Sequence, residues 1–283
     1  FFTNQNKFDG KGVSRTDLTF PGMDLQSQLF NNTSENSSGQ YNLAYKHEFD
    51  DADETLDIEA NYNDYEQEEI ADFNFVNFDF PTDYTDNVET ERARTTVNID
   101  YVKPLNEDQK IEAGLEARLF NSDIEYMSTG QTFNGEGVII PTPSTDFEYK
   151  RDIYSAYFTY SKQFEKWNYQ VGLRAEQVFV NADALRTFAD SSTEFLPFEN
   201  NYFQLYPSIF LAYTPSEKNT YQFSASRRVD RPGLNQVNPI REWSTPRISS
   251  YGNPQLEPQF TNSVEVNYVR NLENGSIIAG VYY

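Results

Sequence analysis

The feature that most restricts this chain is an alternation of apolar and polar residues with a period of two. From Thr55 to Asn63, Leu56, Ile58, Ala60 and Tyr62 alternate with Asp57, Glu59, Asn61 and Asn63. Such a period puts the two sets on opposite faces of a β-strand, one apolar and one charged. Ile111, Ala113, Leu115, Ala117 and Leu119 alternate in the same way with Glu112, Gly114, Glu116, Arg118 and Phe120. Shorter copies run through Val97–Tyr101, Tyr169–Glu176 and Val264–Tyr268. A tilted strand of about 9–11 residues is long enough to cross a bilayer. Helical spacing is scarce, and the longest unbroken apolar run, Ile209 to Tyr213, is far short of the ~20 residues of a membrane helix. Phe1-Phe2-Thr3-Asn4 does not open a signal peptide, so the chain is expected to be mature, processed or a fragment.

The links alternate as well. Short, turn-rich ones are expected at Asp50–Glu54, Lys103–Gln109, Phe164–Lys166, Thr214–Asn219 and Asn271–Gly275. Long ones are expected at Glu66–Glu91, Glu125–Lys150, Asn181–Asn200 and Val229–Gln259. Long loops are uncommon in compact soluble domains, whereas a membrane β-barrel has short periplasmic turns and long extracellular loops. Ten strands are expected from Tyr41 onward, preceded by a segment, Phe1–Gln40, that reads as parts of a strand and a Ser/Asn-rich loop. A soluble β-sandwich also alternates, with its apolar face inward. Strand length, the short–long rhythm and the aromatics Phe49, Tyr101, Trp167 and Tyr213 beside the short turns favour the barrel. Leu115, Leu173 and Val266 then face lipid, and their neighbours Glu116, Arg174 and Glu265 are expected to tolerate exchange among polar residues.

Composition removes several functions. The chain has 44 Asp and Glu against 22 Lys and Arg, for a formal charge of −22, which argues against nucleic acid as a partner. It has no cysteine and a single histidine, His47, which excludes disulfides, thiolate sites and two-histidine metal sites. With no Gly-x-Ser-x-Gly elbow either, no enzyme site is expected.

Arg227-Arg228-Val229-Asp230-Arg231-Pro232, then Leu234-Asn235, Asn238-Pro239 and Gly252-Asn253-Pro254-Gln255-Leu256-Glu257-Pro258, form a distinctive series. It resembles the barrel domain of TonB-dependent outer-membrane receptors in the version found in the Bacteroidetes outer-membrane β-barrel family. Tyr206-Pro207-Ser208 and Gly172-Leu173-Arg174-Ala175-Glu176 are similar to weaker repeats of that family, so the resemblance covers Tyr154 to Tyr268. It implies an all-β transmembrane antiparallel barrel in the cell outer membrane, part of a larger barrel of about 22 strands. Residues 1–283 are then one barrel domain, a fragment without plug or final strands. A complete barrel of about 10 to 12 strands is the alternative.

The series also has direct physical content. Pro232 donates no ladder hydrogen bond and with Gly233 ends a strand. Gly252-Asn253-Pro254 makes a turn that restarts the chain. Parity with Gln222, Ser224 and Ser226 puts Arg228 in the lumen, and Glu265 is a candidate partner for it. Arg227, Arg228, Arg231 and Glu265 are therefore candidates for contact with lumen, plug or ligand. Pro232, Asn238, Pro239, Gly252, Asn253, Pro254, Leu256, Glu257 and Pro258 are the structural residues of the motif.

From Asp50 to Glu91 there are 16 acidic residues and no Lys or Arg. A solvated acidic turn and external loop is the simpler reading. The alternative is Ca²⁺ held near Asp51, Asp53 and Asp57, against which Leu56 stands where such a loop needs Gly. Phe73, Phe75, Phe78, Phe80 and Tyr84 lie in the same stretch and are expected to pack together or on a partner. No cofactor is otherwise expected.

The function implied is a TonB-dependent receptor that binds an external solute and admits it to the periplasm. Its partners would be outer-membrane lipid, a TonB-type energy-coupling protein acting through the plug, and a surface lipoprotein. The alternatives are a barrel scaffold or translocon subunit that binds lipoproteins, and a soluble sugar-binding sandwich. On the first reading, excision of Leu234–Ser250 is expected to leave a folded barrel without uptake.

Overall fold

The computed structural model describes residues 2–19, 24–50, 53–80, 82–240, 242–245 and 248–283, with the main chain alone over 2–14, 16, 18, 242–245 and 248–249. In chain order the elements are β1 (Phe2–Leu18), β2 (Gln26–Glu48), β3 (Thr55–Val76), β4 (Tyr84–Asn106), β5 (Gln109–Ser128), β6 (Gln131–Phe133), β7 (Ile139–Pro141), β8 (Ser144–Gln163), β9 (Trp167–Thr187), β10 (Thr193–Ser216), β11 (Asn219–Asp230), α1 (Leu234–Val237), β12 (Glu242–Thr245), β13 (Ile248–Ser250), β14 (Gln259–Leu272) and β15 (Gly275–Tyr282). Eleven strands make one antiparallel sheet in the order β1-β2-β3-β4-β5-β8-β9-β10-β11-β14-β15, and β6–β7 and β12–β13 are separate hairpins. Each long strand pairs with its sequence neighbours, so the sheet is an up-and-down meander. The ten strands read from Tyr41 onward are present, and the five short turns lie within the links read from the sequence.

The strands are longer than the alternation suggests. β3, β4, β5, β8, β9 and β10 run for 20 to 24 residues, about twice a bilayer crossing. Most of the expected long loops are therefore strand. β3 and β4 are joined by residues 77–83 and β9 and β10 by 188–192. The Ser/Asn-rich stretch Asn31–Gly39 is likewise strand, paired to β1 on one side and β3 on the other. Above the membrane both faces of a strand meet water, so the ladder continues without the apolar alternation that betrays it.

The outer face shows where the membrane lies. Leu115, Leu173 and Val266 are 56%, 47% and 52% exposed there. Below them a chain of rings crosses β9 to β14: Trp167–Tyr213 at 4.3 Å, Tyr213–Tyr221 at 6.3 Å and Tyr221–Tyr268 at 4.9 Å between centroids. On the other side His47 meets Phe49 edge-on at 4.5 Å, and Phe49 meets Tyr101. An upper set includes Tyr41–Tyr62 and Tyr154–Phe179. Tyr169 and Phe179 on β9 are ten residues apart, or about 25 Å along the axis of a barrel tilted by 35–45°. That is the height of the apolar band of an outer-membrane barrel, and the rings form the girdles at its two edges.

Above the upper ring the outer face becomes acidic in register. One cross-strand row is Glu35, Glu68, Glu89, Glu125 and Asp146, and the next is Glu66, Glu91, Asp123, Glu148 and Asp183. Much of the net charge is thus collected into two lateral rows on strand extensions, where a loop was expected. Directly opposed like charges each cost about 0.2–1 kcal/mol, and Lys150, ion-paired with Glu148, relieves one of them.

The inner face carries the packed core. Ile124, Tyr126, Phe147, Tyr149, Ala182 and Ala184 on β5, β8 and β9 are buried there. The aromatic run packs on itself, with Phe73 stacked on Tyr84 at 4.5 Å and against Phe30 at 5.0 Å, and Phe80 against Phe133 at 4.8 Å. The ladder between β10 and β11 runs from Ser216–Asn219 to Ser208–Ser226. Beyond it β10 keeps β9 and β11 keeps β14. Pro207, which has no N–H to donate, stands where the two strands part.

Two outcomes follow for stability. Leu115→Arg should lower the unfolding free energy in lipid vesicles by about 2–4 kcal/mol, whereas Asp123→Asn in the acidic row should leave it equal or higher. Raising ionic strength from about 0.01 M to about 0.15 M, which shortens the screening length from about 30 to about 8 Å, should stabilise the native protein but not a variant with Glu66, Glu68, Glu89 and Glu91 all changed to Gln.

Candidate functional site

The segment after β11 does not stand outside the wall as a free loop. Residues 231–240 turn inward onto the inner face of β5, β8 and β9, and 252–258 close against them. Val237 and Ile240, only 2% and 6% exposed, join Ile124, Tyr126, Phe147, Tyr149, Ala182 and Ala184 in a single cluster. Burying two aliphatic side chains of this size is worth about 1.5–3 kcal/mol each, part of what offsets the segment's ordering entropy. Excision of Leu234–Ser250 would therefore uncover this cluster as well as remove the loop.

A polar clasp fixes the entry of the segment. Arg231 Nε donates to the Tyr202 hydroxyl at 3.0 Å and one terminal nitrogen to the Tyr206 hydroxyl at 3.3 Å, while the same nitrogen pairs with Glu176. Glu176 is 3% exposed. Its other oxygen accepts from Arg174 Nε at 2.7 Å and from an Arg118 terminal nitrogen at 3.4 Å. One buried carboxylate thus gathers guanidiniums from β5, β9 and the loop, and the charge-assisted geometry is the kind that repays desolvation. Arg174 also donates to Glu116 at 2.7 Å, so Glu116 and Arg174 are not the freely exchangeable lumen residues that parity suggested. Arg151 donates to the Pro232 carbonyl at 3.2 Å.

The rest of the motif closes on α1. Gly252 N donates to the Asn238 carbonyl and Asn253 N to the Gln236 carbonyl, both at 2.7 Å. A Cβ on Gly252 would lie 2.5 Å from the Gln236 oxygen and 2.7 Å from the Asn238 nitrogen and oxygen. Only glycine allows two main-chain segments to approach so closely. The Asn238 and Asn253 side chains accept from Ile240 N and Gln255 N, at 3.1 and 3.0 Å, and close two Asx turns. Pro232, Pro254, Leu256 and Pro258 line a narrow cleft against Tyr149 and Phe198, while Pro239 borders a second cavity beside Ile240. Glu257 is exposed.

The four charged candidates are not one cluster. Arg231 is in the clasp. Arg227 has the opposite parity to Arg228 and stacks over Phe260 at 5.0 Å, whose ring meets Tyr202 edge-on. Arg228 sits opposite Thr261, and Glu265 sits opposite Ser224, four residues further along β14, or about 13 Å at the rise of a strand. No ion pair joins them, because the register separates them. Glu176 was the missed partner; its signal was parity with Arg174 and Gly172 on β9, which puts it in the lumen with Arg231. For the Ca²⁺ alternative, Asp57 belongs to β3 and Asp51 lies outside the described residues. Among the described residues no three acidic groups are placed to share a metal.

Gly252→Ala should loosen this closure at a cost of about 1–3 kcal/mol, seen as faster protease cleavage within 231–258 while the heat-dependent gel shift of the folded barrel persists.

The chain matches the Outer membrane protein beta-barrel family over residues 47–283. No curated protein matches it. Among solved structures it is similar to the ferric yersiniabactin uptake receptor FyuA from Yersinia pestis, at 7% identity and a TM-score of 0.51, covering 99% of this chain and 51% of that one. It is similar to the siderophore receptor PiuA from Acinetobacter baumannii at 12% and 0.54, covering 99% and 48%, and to the alcaligin outer membrane receptor FauA from Bordetella pertussis at 15% and 0.52, covering 99% and 43%. At these identities the likeness is one of fold, and the chain spans about half the length of the receptors it matches. With a meander of strands, an apolar band between aromatic girdles and a family match over most of its length, this chain belongs to the outer membrane protein β-barrel family and resides in the outer membrane.

Proposed function

We propose that this chain is wall and inner segment of an energy-coupled receptor that binds an external solute and passes it to the periplasm. The observation that carries the reading is the Arg231–Pro258 segment. It is folded into the lumen, clasped by hydrogen bonds and ion pairs that can open without breaking the wall, and it roofs a cavity of about 420 Å³, within the range of small-ligand sites, roughly 300–1,000 Å³. In this reading energy arrives through a plug and a TonB-type protein, and Glu176 sets how firmly the segment is held.

A second reading, a scaffold that captures a surface lipoprotein, draws on the β6–β7 hairpin, whose Phe133, Val138 and Ile139 are 52%, 54% and 45% exposed. One experiment separates the two. Cells with the full-length protein, with its Arg231→Ala variant, or with neither are grown in a mixed medium whose small solutes are followed by mass spectrometry. The receptor reading expects at least one solute to be depleted only with the native protein, the depletion to stop with a protonophore, and the rate to fall about tenfold or more in Arg231→Ala, the loss of a charge-assisted contact of about 1.5–3 kcal/mol. Equal depletion in all three, with a lipoprotein lost from pull-downs of a β6–β7 deletion, would select the scaffold.

A further inference from the structure

Three neighbouring inner-face arginines are left without carboxylates, besides Arg228 on β11. Among the described residues Arg118, Arg174, Arg186 and Arg231 all have ion-pair partners. Arg92 and Arg94 on β4 and Arg151 on β8 have none. Carboxylates are not scarce in a chain with 44 of them; those nearest in sequence, Glu89 and Glu91, point to the opposite face of the same strand.

The three are also close together. Arg94, Phe120 and Arg151 occupy one cross-strand row, with the guanidiniums 5.5 and 6.0 Å from the Phe120 centroid. In the next row Arg92 faces Ser122. Arg92 Nε and Ser122 Oγ are both buried with no hydrogen-bond partner among the described residues, and Ser122 is 0% exposed. Unmet buried donors are costly unless something accepts from them. Arg92 lines the 420 Å³ cavity under α1, whose other walls include Phe30, Phe73, Val88 and Ile124. The carboxylates that share it are hydrogen-bonded to neighbouring side chains, Glu69 to Asn32 and Gln67, and Asp86 to the Tyr126 hydroxyl. Glu69 faces Val88, four residues above Arg92, or about 13 Å. The cavity is therefore polarised, with its cationic end below and an apolar, aromatic wall beside it.

We infer that this cavity binds a compact organic carboxylate with an aromatic or apolar body, its anionic group held by Arg92 at the cavity wall, with Arg94 and Arg151 in the adjacent row adding positive potential. This rests on the receptor reading and names the class of its solute. A planar carboxylate matches the guanidinium fork, and a ring can lie on Phe73 and Phe30.

The test is calorimetry on the detergent-solubilised full-length protein with 1-naphthoate, and with 1-naphthamide as its neutral match. Naphthoate should bind at one site and naphthamide at least about tenfold more weakly, since the amide forgoes the charge-assisted bonds. Arg92→Gln should weaken naphthoate about tenfold, and Arg94→Gln, which removes a charge from the adjacent row, should weaken it measurably but less. Arg92→Lys should restore part of the loss, and Arg186→Gln, which touches Glu194 away from the cavity, should change nothing. Folding of each variant is checked by heat-dependent gel migration. If Arg92→Gln fails to fold, Arg94→Gln, at an exposed position, decides. Equal binding of acid and amide, unchanged affinity in Arg94→Gln, or no binding of naphthoate overturns the inference. Because binding is read on purified protein, a chain that binds the probe but moves no solute in cells overturns only the transport reading, and one that transports without binding it overturns only the solute class.

Discussion

A main chain in hydrocarbon can satisfy its N–H and C=O groups only with other main chain, and the rest of this structure depends on that constraint. It makes every strand long, antiparallel and paired to its sequence neighbour, and it fixes which side chains face lipid. The same ladders continue above the membrane with no change of register, so extracellular features are built on a rigid extension of the wall rather than on free loops. The ladder between β10 and β11 ends at Ser208–Ser226, and the segment that turns into the lumen leaves from β11, just past that point.

The parts of the fold that were legible in the sequence are those where one face meets lipid. There a single-residue shift would invert every side chain, so Leu56–Tyr62 and Ile111–Leu119 announce both strand and face, and the turn residues at Phe164–Lys166 or Asn271–Gly275 announce the return. Legibility ends at the upper aromatic ring. Asn31–Gly39 and Asp64–Asp72 are polar on both faces, so nothing in their pattern distinguishes a paired strand from a solvated loop. The motif of prolines, asparagines and Gly252 was visible as a series, yet its use was not. Gly252 needs glycine because of Gln236 and Asn238, and Arg231 needs Glu176, 55 residues earlier in the chain. Contacts of that separation leave no local trace.

Glu176 links the two halves of the design. On the wall it orders Arg118 and Arg174, and through Arg231 it holds the segment that enters the lumen after β11. Loss of the carboxylate would leave three guanidiniums facing one another without it, so wall and segment are coupled through a single group. The inner face thus joins an apolar floor under Val237 and Ile240, which resists displacement, to a charged latch whose strength depends on what else enters the lumen.

The two carboxylate rows above the apolar band have a consequence for the protein's neighbours. Copies that drift together in the plane of the membrane bring negative collars face to face on this side of the wall. At physiological salt the repulsion reaches only about 8 Å, too short to order the membrane at a distance but sufficient to keep a film of water between adjacent ectodomains. Crowded copies would share lipid while remaining separate above it, leaving the mouth of each one open to the medium.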